Sequence, residues 1–99
     1  MEIGFEDDGL RRLYEEPDFR LPQIGSELTR SYRKVLGFVV AATDERDLRA
    51  IASLHFEKLK ADRDGQHSLR LFKGSRLIVR IEGIENDKQV VIVEVVDYH

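Results

Sequence analysis

A cysteine-free chain of 99 residues, 41% hydrophobic and 35% charged, has the size and composition of one globular domain spanning 1–99, with neither a disulfide framework nor a thiolate metal site. No apolar run approaches the roughly 20 residues that span a bilayer, and the start at Met1 is acidic where a signal peptide would be basic, so the expected compartment is cytoplasmic and no membrane partner is expected. The net charge of -3 hides a division: residues 1–27 hold 3 basic and 8 acidic side chains, residues 28–80 hold 12 and 6, and residues 81–99 hold 1 and 5. A basic middle between acidic ends suits a positive working face, although solvated helices produce similar blocks.

Glu2 to Glu6 alternates, with Ile3 and Phe5 on one side, and predicts a short strand. Asp7 or Asp8 then caps a helix carrying Leu10, Leu13 and Tyr14, which Pro17 ends. Asp18 to Gly25 reads as a loop. Leu28, Tyr32, Val35, Leu36, Val39 and Val40 recur at helical spacing and predict the longest helix, with Arg30, Arg33 and Lys34 between them. Thr43 and Asp44 cap a shorter helix with Leu48, Ile51 and Ala52 on its apolar side, ending around Ser53.

The period then changes. Ser68 to Phe72, Arg76 to Glu82 and Gln89 to Val96 read as three strands of an antiparallel meander, joined by Lys73-Gly74-Ser75 and by Gly83 to Lys88. The last strand is apolar on both faces and should lie centrally. The expected class is α+β, with an N-terminal short strand and helices packed on a mainly antiparallel sheet of about four strands.

No phosphate loop, metalloprotease helix, nucleophile elbow or carboxylate cluster at metal spacing occurs, so no metal or cofactor is expected. What remains is a set of His, Tyr, Arg and Lys side chains after position 54: His55, Lys58, Lys60, His67, Arg70, Arg76, Arg80, Tyr98 and His99. Such groups suit metal-free RNA cleavage, which needs a base for the 2′-hydroxyl, cations on the phosphate and an acid for the leaving 5′-oxygen. Histidine titrates near neutrality and arginine grips two phosphate oxygens at once. Strand alternation puts Arg70 opposite Leu69 and Leu71, and Arg76 and Arg80 opposite Leu77, Val79 and Ile81, so three guanidinium groups should share the face away from the helices. Each alone is as simply read as a solvated outward residue. Asp97, Tyr98 and His99 follow the apolar strand directly and should be held near the sheet end, with Asp97 and His99 on one face and Tyr98 on the other. His55 could equally cap the preceding turn, and His67 reads as a turn or edge residue.

The stretches LHFEKL, GQHSLRLFKGSRLIVRI and VIVEVVDYH, from Leu54 to His99, resemble the RelE/ParE superfamily of bacterial toxins and, within it, the HigB-like killer proteins. The resemblance implies a toxin of a type II toxin–antitoxin system: a ribosome-dependent endoribonuclease that cleaves messenger RNA through a 2′,3′-cyclic phosphate. It also implies a HigA-like helix-turn-helix antitoxin as partner, in a toxin–antitoxin hetero-oligomer, with the ribosome and mRNA as targets. By that resemblance His55, Arg76, Asp97, Tyr98 and His99 form the catalytic group, and Lys58, Lys60, Arg70, Lys73 and Arg80 contact RNA or phosphate. The base would be His99 or Asp97, and His55 or Tyr98 would position or protonate. The chain departs from the family in being acidic overall and in carrying Ser75 where an aromatic is common. Two other readings stand beside this one: a ParE-like toxin that binds DNA gyrase without cutting RNA, and a catalytically dead module that only binds its antitoxin.

Overall fold

The computed structural model describes residues 1–84 and 87–97. In chain order these form β1 (Glu2–Phe5), α1 (Asp8–Glu15), α2 (Ser26–Ala41), α3 (Glu45–Ala50), a 3-10 turn (Ala52–Leu54), β2 (Glu57–Lys58), a second 3-10 turn (Ala61–Arg63), β3 (Gln66–Arg70), β4 (Ser75–Glu82) and β5 (Gln89–Asp97). The strands make one sheet in the order β1-β5-β4-β3-β2. β1 runs parallel to β5, and the remaining pairs are antiparallel. The class is the expected α+β. The sheet has five strands, because Glu57–Lys58 adds a two-residue edge pairing with Ser68 and His67. A pair of exposed charged residues carries no alternation signal, so this strand leaves no trace in a hydrophobic pattern.

Helices α1 and α3 start where a side chain can accept from their free N–H groups, whereas α2 starts after Gly25 without a side-chain cap. The Asp7 carboxylate accepts from Gly9 and Leu10, and the Asp44 carboxylate from Arg46. The short third helix ends at Ala50 instead of near Ser53, because Ile51 turns extended and the chain tightens into the 3-10 turn that closes on His55. Two residues of α2 fasten α1. The buried Tyr32 hydroxyl donates to Leu10 O at 2.8 Å, and Arg33 spreads over the end of α1, donating to the carbonyls of Leu13, Glu16, Pro17 and Phe19. Four carbonyls at and just past a helix end, which would otherwise need water, are thereby satisfied by one side chain.

The core lies between the helices and one face of the sheet. Leu13, Tyr32, Leu36, Val39 and Leu48 meet Leu69, Leu77, Val79, Val90 and Ile92 there, all essentially without solvent contact. On β5 the register slips: Ile78 faces Glu94 while Val79 faces Ile92, so Val93 is an extra residue in the ladder. The slip explains why β5 reads as apolar throughout, since its core-facing positions are Val90 and Ile92 before the bulge and Val95 after it. Between β4 and β5 the chain turns through Gly83 at φ 92, where a Cβ would collide with the Asp87 carbonyl. No helix among the described residues is long and apolar enough to cross a membrane.

The Tyr32 bond has a measurable share in stability. Burial pushes the Tyr32 phenol well above its ordinary pKa, as expected for a hydroxyl that serves only as a neutral donor. Tyr32→Phe keeps the ring and leaves the Leu10 carbonyl without its partner, which should cost about 1–3 kcal/mol in urea unfolding. A loss below about 0.5 kcal/mol would show that water replaces the hydroxyl.

Candidate functional site

The sheet face turned away from the helices carries the candidate site. Alternation on β3 and β4 places Ser68 and Arg70, and Arg76, Ile78 and Arg80, on this side, and the register sets Arg70 directly opposite Arg76. Two guanidinium groups as cross-strand neighbours are repulsive unless carboxylate or phosphate oxygens share them. The fold resolves this partly by sinking one. Arg76 is only 8% exposed, and its Nη2 donates to the His55 carbonyl at 2.9 Å, to Glu57 Oε1 at 3.2 Å and to Ser68 Oγ at 2.6 Å. Arg70 stays in solvent, its Nη2 3.5 Å from His55 Nδ1.

His55 arrives at this pair through the backbone. It closes the 3-10 turn in the left-handed region, at φ 47 and ψ 51, with its N–H donating to Ala52 O and its carbonyl held by Arg76. A non-glycine residue in that region is uncommon and costs of the order of 1 kcal/mol or more, so the surrounding contacts must hold it. The ring is half-exposed, with Nε2 4.0 Å from Glu57 Oε2. His55, Arg70 and Arg76 therefore converge, together with Glu57 and Ser68, which the sequence reading missed. Ser68 lies among apolar strand residues, and Glu57 sits in a segment without a periodic signal. The strand pattern around Arg76 could have flagged Ser68 as its buried cross-strand acceptor.

The other expected residues lie elsewhere. Arg80 shares the face but stands four residues further along β4, roughly 13 Å away, where it pairs with Glu6 and Glu82. Lys58 alternates with Glu57 on β2, pairs with His67 and is exposed. Lys60 is exposed ahead of the second 3-10 turn, and Lys73 occupies the left-handed region at φ 55 in the β3–β4 turn, over the Phe72 ring. Asp97 pairs with Ser75, whose hydroxyl donates to it at 3.0 Å, and Ser75 alternates with Arg76, so this carboxylate lies on the helix side of the sheet. There it lines a cavity of about 240 Å³ with Leu10, Ile24 and Leu28. Tyr98 and His99 lie outside the described residues. Among the described residues no three His, Asp or Glu side chains gather as a metal site.

His67 is a correction to the sequence reading. It is no turn residue but a buried member of β3, stacked on Phe56 with ring centroids 4.9 Å apart and planes 7° from parallel. Burial holds its pKa below the ordinary value; Glu45 pulls it upward, and Arg49 and Lys58 push it further down. The folded protein thus resists a proton that the unfolded chain accepts near pH 6.5. This stabilisation is complete above that pH and is lost as the pH falls toward the depressed value. His67→Phe, which keeps the stack and removes the titration, should lose less of its urea midpoint between about pH 7 and pH 5 than the parent. Parallel declines would assign the acid sensitivity to other groups.

A family model described as RelE-like toxin of type II toxin–antitoxin system HigB matches residues 3–99. Among solved structures the chain is similar to a YoeB/ParE toxin from Agrobacterium tumefaciens, with a TM-score of 0.57 and 15% identity over 100% of each chain. It is also similar to a chain of the RelBE2 toxin–antitoxin complex from Mycobacterium tuberculosis, with a TM-score of 0.51 and 21% identity over 98% of this chain and 96% of that one. At these identities the two structures show likeness of fold alone. Comparison with curated proteins finds no significant match.

Proposed function

Because the chain belongs to the HigB-like family of RelE-like toxins of type II toxin–antitoxin systems, we propose that it is an endoribonuclease that cuts translated messenger RNA on the ribosome. The observation that carries this reading is the half-exposed imidazole of His55 lying against Arg70, directly across the strand pair from the anchored Arg76. A phosphodiester drawn onto the free Arg70 guanidinium would meet a proton-transfer group within one side chain's reach, in the field of a second fixed positive charge. Phosphorane charge would build beside two cations, one of which, Arg76, is already fixed by the fold, an arrangement that lowers a transition state. Cleavage without a metal then yields a 2′,3′-cyclic phosphate and a 5′-hydroxyl.

In this proposal Arg70 contacts the scissile phosphate, Arg76 holds His55 and adds positive charge, and His55 moves a proton. Lys58, Lys60 and Lys73 are exposed cations available to the flanking RNA, while Arg80 is already neutralised by two carboxylates. Tyr98 and His99 remain part of the proposed site by family resemblance, whereas Asp97, expected with them, is bonded to Ser75 on the helix side of the sheet, away from the arginine face. The same membership supports a cognate antitoxin as binding partner, and a HigA-like helix-turn-helix protein is the proposed form. A gyrase-binding mode of the ParE kind needs no imidazole beside paired arginines and is not favoured by this site.

The test is cleavage of mRNA on purified, programmed ribosomes, with cut sites mapped by primer extension. Arg70→Ala removes an exposed side chain and should leave stability within about 0.5 kcal/mol while lowering the cleavage rate by about 10²-fold or more. His55→Ala should lower it similarly. Parental rates in both folded variants would refute the site.

A further inference from the structure

The Glu57 carboxylate is fixed at one oxygen and free at the other. Oε1 accepts from Arg76 Nη2 at 3.2 Å, which ties it to the sheet, and Oε2 lies 4.0 Å from His55 Nε2. At the other ring nitrogen, Arg70 Nη2 is 3.5 Å from His55 Nδ1. A guanidinium can only donate, so this approach is favourable only when Nδ1 carries its lone pair. The neutral ring then bears its proton on Nε2, the nitrogen next to the carboxylate. Both contacts are longer than working hydrogen bonds, as is common in sites without substrate.

We propose that Glu57 is a positioning residue that holds His55 in the Nε2–H tautomer, so that Nδ1, on the Arg70 side, is the atom that takes the 2′-hydroxyl proton. The inference rests on the nuclease reading above and deepens it by naming the base and the group that orients it. Nδ1 removes the proton as the 2′-oxygen bonds to phosphorus; the P–O5′ bond breaks, and the 5′-oxygen leaves with a proton drawn from water. The imidazolium so formed gains Glu57 as its counter-charge, while Arg70 faces the phosphorane oxygens and the buried Arg76 adds its positive field. A carboxylate that orients an imidazole and stabilises its charged form need never be protonated itself. Asp97, the other carboxylate expected near the reaction, is bonded to Ser75 on the opposite side of the sheet from Arg76, so Glu57 is the carboxylate the fold delivers to this ring.

The first test needs no activity. In ¹⁵N spectra of the labelled protein, with the His55 signals assigned through His55→Gln, Nδ1 should show the shift of an unprotonated nitrogen and Nε2 that of a protonated one. Glu57→Ala should move the ring to a mixture of tautomers, and unchanged shifts would overturn the positioning role. The second test is kinetic, on ribosome-bound mRNA. Glu57→Gln retains an oxygen for Arg76 and should lower kcat about 10–100-fold with KM within about twofold. A lower KM with kcat intact would mean that the carboxylate only competes with phosphate for Arg76, and would sink the proposal. On mRNA with a single bridging 5′-sulfur, whose leaving group needs no acid, His55→Ala should stay as slow as on normal RNA. Recovery of the rate would make His55 the acid and overturn its role as base. Failure of the parent protein to cut any mRNA would remove the nuclease reading and the base with it, while the spectra would still report Glu57's hold on the ring.

Discussion

One buried cation organises the site. A guanidinium taken out of water costs several kcal/mol unless oxygens replace the lost hydration, and Arg76 finds three on different segments: the Ser68 hydroxyl on β3, the Glu57 carboxylate on β2 and the His55 carbonyl at the end of the 3-10 turn. Satisfying that charge therefore draws the turn and the short edge strand onto β4. The left-handed backbone at His55 is held by the same bond, so one hydrogen bond helps to offset both the strain and the buried charge. Loss of Arg76 would release the strand edge, the turn and the imidazole together.

The rest of the molecule keeps its charges away from that point. Several basic side chains of the acidic ends are paired: Arg11 with Asp8 and Glu15, Arg12 with Glu16, and Lys88 with Glu45. Exposed pairs of this kind add little stability. Their effect is electrostatic, because they cancel cations outside the site and leave Arg70 facing solvent with only an imidazole nitrogen beside it among the contacts described. A net acidic chain can in this way still present a positive patch.

The fold was legible in the sequence wherever one period ran long enough. The helix through Tyr32 and Val39 and the strands through Leu77 and Ile92 followed from spacing alone, and Asp7 and Asp44 marked their helix starts. β3 begins two residues earlier than expected, at Gln66, because His67 packs as an aromatic against Phe56, and polarity gives no hint of that. β2 was invisible because it exists to meet Ser68 and Arg76. The arginine pair was readable from alternation, as was its face. Residues from irregular segments were not: no local pattern announces that Glu57 lies beside His55, since the contact depends on a left-handed turn and a buried charge from β4. The placement of Asp97 failed to follow from alternation counted along β5, because Val93 interrupts the count.

That interruption gives β5 a property independent of which amino acids it holds. Upstream of Val93 the odd-numbered positions look away from the helices, and downstream they look toward them, so Val91 and Asp97 project to opposite sides although their separation is even. Which surface receives the last residues of the strand is thus fixed by the bulge. Absorbing Val93 into a regular ladder at unchanged chain length would carry the Asp97 carboxylate across the sheet to the side of Arg76 and set negative charge at the arginine face, whereas deleting Val93 would leave that carboxylate opposite Ser75.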